Sequence, residues 1–362
     1  MIYKVALTMI DGVGGVTARK LVAHFGSPKA IFDASPQTLR AVLNNSTYKN
    51  FRSDTILHQA EKELKYMQHN DINVLFYTDA DFPYRLNRCE DAPVALFAKG
   101  NANLNNSKTI SIVGTRKASN YGISLCRELV AQLAKKGHKP LIISGLAYGI
   151  DVCAHLAALE AGLETVAVMG TGLNKIYPAA HDNIATQIAR QGALLTEYVS
   201  EQTIVPGNFL SRNRIVAGLA DVTVVVESGI KGGALVTADI ANSYNREVMA
   251  VPGRTGDQLS KGCNRLIKTN IAAMLESVED LENQMNWSKN QQEVQQKIDF
   301  IELSLQEQNI AAFLRDRGSA DVNAIAVHTG ISIPDLSLFL LNMELSKLIT
   351  VLPGNSYAIK SY

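Results

Sequence analysis

The sequence predicts an α/β protein: a doubly wound parallel sheet at the centre, a small helical domain ahead of it and a three-helix unit with a hairpin behind. Three observations carry that prediction. Short β-branched runs end at a glycine at Ile110 to Gly114, Leu141 to Gly145 and Thr165 to Gly170, and continuous apolar runs of this length suit strands covered on both faces. Strand-like and helical stretches then alternate as far as residue 281, the signature of a parallel sheet with helices on both sides. After Leu281 the composition shifts to Gln, Asn, Glu and Lys, which sets a last unit apart.

Residues 1–75 read as a helical domain of the helix-hairpin-helix or SAM-like kind. Gly12 and Gly14 precede a helix with apolar Val16, Leu21, Val22 and Phe25. The amides of such a turn can grip a phosphate without reading sequence; a tight turn between helices with no ligand accounts for the same residues. Helices continue through Ala30 to Leu43 and Thr55 to Asn70. Asn73 to Tyr77 is strand-like, and Pro83 to Leu86 and Pro93 to Lys99 read as extended connector.

The sheet domain is assigned to residues 76–281. After the three opening runs, strands are expected at Ala193 to Tyr198, Val222 to Glu227, Glu247 to Val251 and Ala272 to Leu275. Helices are expected at Asn183 to Gln191, Arg212 to Leu219 and Ala234 to Asn245. Ligands of such a fold lie at the carboxyl ends of the strands. A glycine where strand hands over to helix lets the backbone approach a ligand and points free amides at an anion.

Residues 282–300 form a polar linker, and 301–362 the last domain. Ile310 to Arg317 is helical, Asp321 caps a second helix to His328, and Pro334 to Leu348 makes a third. Ile349 to Ile359 is a hairpin through Pro353-Gly354-Asn355. This is the winged-helix order, whose third helix often enters duplex DNA. Here that helix carries Lys347 against Asp335 and Glu344. A phosphate-gripping face needs more cations, so protein contact or regulation is the better reading.

Formal net charge is +1 and 46% of residues are hydrophobic. Any nucleic acid must therefore bind a local basic pocket. No apolar run approaches the roughly 20 residues needed to cross a bilayer, and no signal-peptide pattern opens the chain. A cytoplasmic protein without membrane contact is expected. Cys89, Cys126, Cys153 and Cys263 are scattered with no CxxC pair, which argues against a zinc site or a disulfide frame.

Cations do gather locally. The span Lys108 to Arg127 has no acid and holds Arg116 and Lys117, and Gln202 to Ala220 has none and holds Arg212 and Arg214. Lys175 follows the third glycine turn. Strand ends brought to one rim would place several cations and free amides around more than one phosphate. Phe209 and Tyr177 add flat faces on which a base can stack, worth ~1–3 kcal/mol. Single arginines can instead cap helices or pair with Glu197, Glu227 or Asp239.

Rival chemistries match poorly. Gly170-Thr171-Gly172 begins a GxGxxG, but Lys175 stands where the third glycine belongs, and no GxxxxGK[ST] exists. No cofactor is expected. Gly232-Gly233 lacks the flanking residues of a PGGxGTxxE turn. Asp151 and His155, one turn apart, suit the anchoring of a helix start better than acid–base work.

Eight segments, VGTRKASNYG, SGLAYGIDVCAH, TVAVMGTGLNKIYP, LLTEY, FLSRNRIVAGLA, VVVESGIKGGALVTADIA, REVMAVPG and GCNRLI, stand in this order. Together they resemble the DNA-processing protein A (DprA, or Smf) family from about Ala80 to Leu275. The resemblance implies a Rossmann-like central domain, homodimers formed through it, and binding of single-stranded DNA without sequence preference. It further implies loading of RecA recombinase in natural transformation, and no enzymatic activity. By motif it implies Gly114, Thr115 and Arg116 at a DNA phosphate and Phe209 as a stacking or wall residue. Arg212, Asn213 and Arg214 become further backbone contacts, Asn264 a pocket-shaping residue, and Lys175 a contact where the family varies. Leu210 replaces the family's proline, and a serine hydroxyl is lost at Gly233. Two other readings stay open: a hydrolase cleaving nucleotides or nucleosides in the same phosphate pocket, and a scaffold in which the sheet is inert.

Overall fold

A computed structural model describes residues 1–43, 45–51, 54–287, 303–346, 348–352 and 356–359. The chain divides into two units, Met1–Trp287 and Ser288–Tyr362.

The first unit is organised by one nine-stranded sheet. Its strands are β1 (Ile72–Phe76), β2 (Ala95–Gly100), β3 (Thr109–Val113), β4 (Leu141–Ser144), β5 (Thr165–Val168), β6 (Ala193–Thr196), β7 (Val222–Val225), β8 (Glu247–Ala250) and β9 (Ala273–Met274). The spatial order is β1-β2-β6-β5-β4-β3-β7-β8-β9. From β6 to β9 every pairing is parallel, whereas β1 and β2 add on antiparallel. The expected doubly wound sheet is present. Its middle strands are buried throughout (Thr109–Val113, Leu141–Ser144, Thr165–Val168 and Val222–Val225), which is why they read as unbroken apolar runs rather than alternating ones.

One face of the sheet packs on the helices Asn213–Leu219, Gly233–Ser243 and Lys261–Lys268 through Ile215, Ala238 and Leu266. The other packs on Asn120–Lys135, Ile150–Glu160 and Val278–Gln284 through Val130, Ala154 and Leu281. After β3, β4 and β5 the chain winds toward β6; the next strand of the series, β7, returns to the opposite side of β3. The winding direction reverses between β3 and β7, and a crevice opens at the carboxyl ends there because the connections leave in opposite directions.

Several local expectations are corrected. Pro83 to Leu86 is not extended; Tyr84–Asn87 is a helical turn, its Arg85 held by Asp221 at 2.6 Å. Pro93 to Lys99 is not mere connector, because β2 lies between β1 and β6 with Leu96 and Phe97 buried. The sheet therefore begins at Ile72. Ala30 to Leu43 is not one helix: Pro36 has no amide to continue the ladder, and Ser35 starts a new helix by accepting from the Thr38 amide at 3.2 Å. The expected helix from Arg212 to Leu219 is present as Asn213–Leu219 with Arg212 at its N-cap, and a further short helix, Pro206–Ser211, precedes it. The first residue of the helix Gly15–Phe25 lies against backbone, since a Cβ on Gly15 would meet the Ala92 carbonyl oxygen at 2.3 Å, whereas one on Gly14 in the turn would meet nothing within 4 Å. Val16 is 46% exposed and stands outside the core.

Residues 282–287, expected to begin the linker, close the first unit instead. Glu282 accepts from Lys136 at 2.8 Å and lies 2.6 Å from His138, and Trp287 is buried against the sheet's helices. The remainder of that linker lies outside the described residues, as do Lys347 and the hairpin tip Pro353-Gly354-Asn355.

The second unit has helices Leu305–Arg317, Val322–Thr329 and Ile333–Leu345 with a sheet of order β10 (Ala320–Asp321), β12 (Ser356–Ile359), β11 (Ile349–Leu352). Asp321 caps the second helix, accepting from the amides of Asn323 and Ala324. Leu314, Ile325, Leu336 and Leu340 form its core.

Candidate functional site

A cavity of about 430 Å³ occupies the crevice at the reversal point. Its walls come from strand ends and the loops behind them: Gly114 to Arg116 after β3, Gly145 and Ala147 after β4, Ser228 to Gly233 after β7. Phe209 and Tyr177 close one side, with ring centroids 5.1 Å apart at 49°.

The loop after β3 is fixed from beneath. The Thr115 amide donates to the Glu227 carbonyl at 2.8 Å, and the buried Glu227 carboxylate accepts from the Ser119 amide at 2.9 Å and the Ser119 hydroxyl at 2.5 Å. The Ile150 amide donates to the Thr115 carbonyl at 3.2 Å. Gly149 has φ +78°, and a Cβ there would lie 2.1 Å from the Thr115 carbonyl oxygen. Only glycine allows both that conformation and that approach. Arg116 thus projects from a braced turn, is exposed, and among the described residues has no carboxylate within ion-pair distance.

Of the residues singled out by sequence, Gly114, Thr115, Arg116, Phe209, Arg212 and Asn213 line the cavity; Lys175, Arg214 and Asn264 do not. Arg212, expected as a further DNA-backbone contact, is buried in the cavity floor. It is 4% exposed, its Nη1 donates to the Gly145 carbonyl at 2.5 Å and also to the Val168 carbonyl, and its Nε has no partner. A Cβ on Gly145 would meet the guanidinium at 2.3 Å, so that glycine makes room for it. Burial pushes the guanidinium below its ordinary range, Asp151 drawing it back. Asp151 also lines the cavity; burial raises its carboxyl, opposed by Arg212, Arg116 and the Ala147 and Gly145 amides.

Arg214 pairs with Glu197 on the far side of the same turn. Residues two apart on a helix face different directions, and Arg212 takes the cavity side. Lys175 is exposed beyond the turn that Thr171 closes on the Lys175 carbonyl at 2.8 Å. Asn264 clasps the loop after β8, its Nδ2 donating to the Gly253 carbonyl at 2.9 Å and its Oδ1 accepting from the Gly253 amide at 3.1 Å.

Sequence reasoning missed Lys231, an exposed cation on the cavity wall in the loop after β7. The signal was available: the run Val222 to Val226 stops at Gly229 and a helix opens at Gly233, the same glycine handover found three times earlier. The helix Gly233–Ser243 opens into the cavity with no side chain capping its first turn, which leaves amides to an anion.

His155 is not at the cavity. It is fully buried, its Nδ1 lies 2.7 Å from the Thr165 hydroxyl and its Nε2 has no partner. The Thr165 hydroxyl donates to the Ile142 carbonyl, which assigns the proton to Nδ1. Burial, with Arg212 and His181 adding to it, pushes the imidazole down to about 3. Asp151 and His155 therefore act apart, the first at the helix start and the second inside the core. Among the described residues no His, Cys, Asp and Glu cluster could hold a metal, and no single helix is long and apolar enough to cross a membrane.

The arrangement can do one thing well: hold an anionic, planar ligand. Arg116 and Lys231, neither paired with a carboxylate among the described residues, stand at the wall, a helix start lies beside them, and a tilted aromatic pair offers an apolar face.

The model of the family described as DNA recombination-mediator protein A matches residues 73–286. Protein Smf of Synechocystis is 34% identical over 282 residues, covering 75% of this chain and 70% of that protein. Protein Smf of Escherichia coli is 35% identical over 286 residues, covering 77% and 76%. Two solved structures share the fold: DNA processing protein A of Streptococcus pneumoniae (TM-score 0.68, 29% identity, 78% of this chain and 96% of that one) and DNA processing protein A of Helicobacter pylori (TM-score 0.54, 28% identity, 60% and 97%). The Helicobacter pylori structure is described for its single-stranded DNA binding mode.

Proposed function

The chain belongs to the DNA recombination-mediator protein A family, and from that premise we propose that it binds single-stranded DNA in the cavity at the β3–β7 reversal, without reading sequence. The observation that carries the reading is Arg116, an exposed cation with no carboxylate partner on a turn braced by Glu227 and Gly149, facing the open start of the helix Gly233–Ser243. Lys231 adds a second phosphate contact, and Phe209 with Tyr177 a stacking face. Arg212 supports the floor and adds positive potential without touching the strand directly.

In the same reading the protein loads RecA recombinase onto incoming strands in natural transformation, works as a homodimer in the cytoplasm, and carries a winged-helix domain in residues 301–362 behind a Rossmann-like domain. It performs no catalysis.

Fluorescence anisotropy with unrelated single-stranded and duplex oligonucleotides tests the site. Arg116→Ala and Lys231→Ala should each weaken single-strand binding to a similar extent for every sequence. The slope of log affinity against log salt should shrink by about 0.7 for each phosphate contact removed. Unaltered affinity and slope in the double variant would place the DNA elsewhere.

A further inference from the structure

The helix Ile333–Leu345 of the second unit is apolar on two opposite faces. One face is core, with Leu336, Leu340 and Met343 buried. On the other, Leu338, Leu341 and Leu345 are 62%, 51% and 72% exposed, and Pro334 beside them is exposed too. These four positions step by four, three and four residues, the spacing of a helix-pairing seam. At 3.6 residues per turn they form a single stripe opposite the buried one. A surface helix ordinarily keeps one apolar stripe, turned inward, and a second stripe left in water marks a contact surface.

We propose that this seam receives a cation-flanked amphipathic helix of another protein. Charge chooses the occupant. The helix contains Asp335 and Glu344 and no Lys or Arg, and by helical geometry the two acids flank the seam on opposite sides. Asp335 accepts from the neutral Ser332 hydroxyl at 2.6 Å. Nucleic acid would meet like charge along this face, and so would an anionic lipid surface. A second copy of the chain would bring the same acidic flanks and no cation to oppose them. The seam is also short, about 16 Å at 1.5 Å per residue. Pairing through it covers on the order of a few hundred Å² per partner, against roughly 800 Å² for a stable dimer. A partner helix with Lys or Arg beside its apolar stripe satisfies the charge constraint, and the small area makes the contact a transient one: leucines supply affinity, and Asp335 and Glu344 select the partner.

The test uses the full chain and two synthetic three-heptad peptides with the same leucine seam, flanked by lysine in one and glutamate in the other. Anisotropy titration should give saturable binding of the lysine-flanked peptide and at least about tenfold weaker binding of the other, the effect of roughly 1.4 kcal/mol in pair selection. Leu338→Gln with Leu341→Gln should abolish binding while leaving oligonucleotide binding unchanged, which separates loss of this surface from loss of the DNA cavity. Asp335→Lys with Glu344→Lys keeps the leucines and should reverse the preference. No binding of the lysine-flanked peptide, or equal binding of the two, overturns the proposal. So does self-association in sedimentation that disappears in the leucine variant, because the occupant would then be a second copy.

Discussion

Arg212→Ala offers the sharpest check on the geometry, because sequence and structure assign that arginine different work. An exposed phosphate clamp would be removed with little effect on stability. The buried guanidinium described here holds the carboxyl ends of β4 and β5 through the Gly145 and Val168 carbonyls. Its loss strands two buried acceptors and empties the space that Gly145, lacking a Cβ, leaves for the guanidinium. Hydrogen bonds to a charged donor are worth roughly 1.5–3 kcal/mol each. Against this stands the relief of desolvating a guanidinium whose Nε is unpartnered, so a net loss of about 3 kcal/mol is expected. For the unit Met1–Trp287 that corresponds to a fall in Tm of roughly 5 °C. Trp287, the single tryptophan, is buried in the same unit and reports the transition by fluorescence. DNA affinity measured well below the new Tm should drop less than for Arg116→Ala. An unchanged Tm with abolished binding would refute the buried-floor assignment and restore Arg212 to the strand.

Two further outcomes follow from the same site. Gly149→Ala forces a Cβ into the Thr115 carbonyl at φ +78°; it should cost about 1–3 kcal/mol from backbone conformation alone and displace Arg116, so melting and single-strand affinity fall together, and a variant with wild-type values of both would show that the β3 loop is not braced there. His155, held down to about 3 by burial, has a folded pKa below its unfolded one near 6.5. Above that value neither state is protonated and the residue contributes no pH dependence; as pH falls through the window toward 3 the unfolded chain takes a proton the folded chain refuses, and stability drops by about 1.4 kcal/mol per pH unit. An NMR titration of the folded protein showing His155 protonating above about pH 5 would contradict this.

Much of the site was legible in sequence because it is made of local patterns. A β-branched run ending in glycine specifies a strand, a tight handover and a helix start within a dozen residues, and the backbone amides follow from it. That pattern located Gly114, Gly145 and the loop holding Arg116, while Phe209 as a stacking or wall residue and Asn213 as a backbone contact came with the family resemblance. The short helix Tyr84–Asn87 and strand β2 escaped, because prolines at 83 and 93 read as breakers while the sheet edge that accepts β2 lies a hundred residues away in β6.

The amino-acid order therefore determined the parallel sheet, the glycine handovers and the acid-free stretches around Arg116 and Arg212, since each depends on neighbours within a few bonds. Only the tertiary structure decided which cations are free. Arg212 and Arg214 are two residues apart and chemically identical, yet one lies under the cavity on carbonyls and the other is tied to Glu197, while Lys231, unremarked in the sequence, stands open on the wall. A side chain's charge is written in the chain, but its partner is set by the direction in which the fold points it.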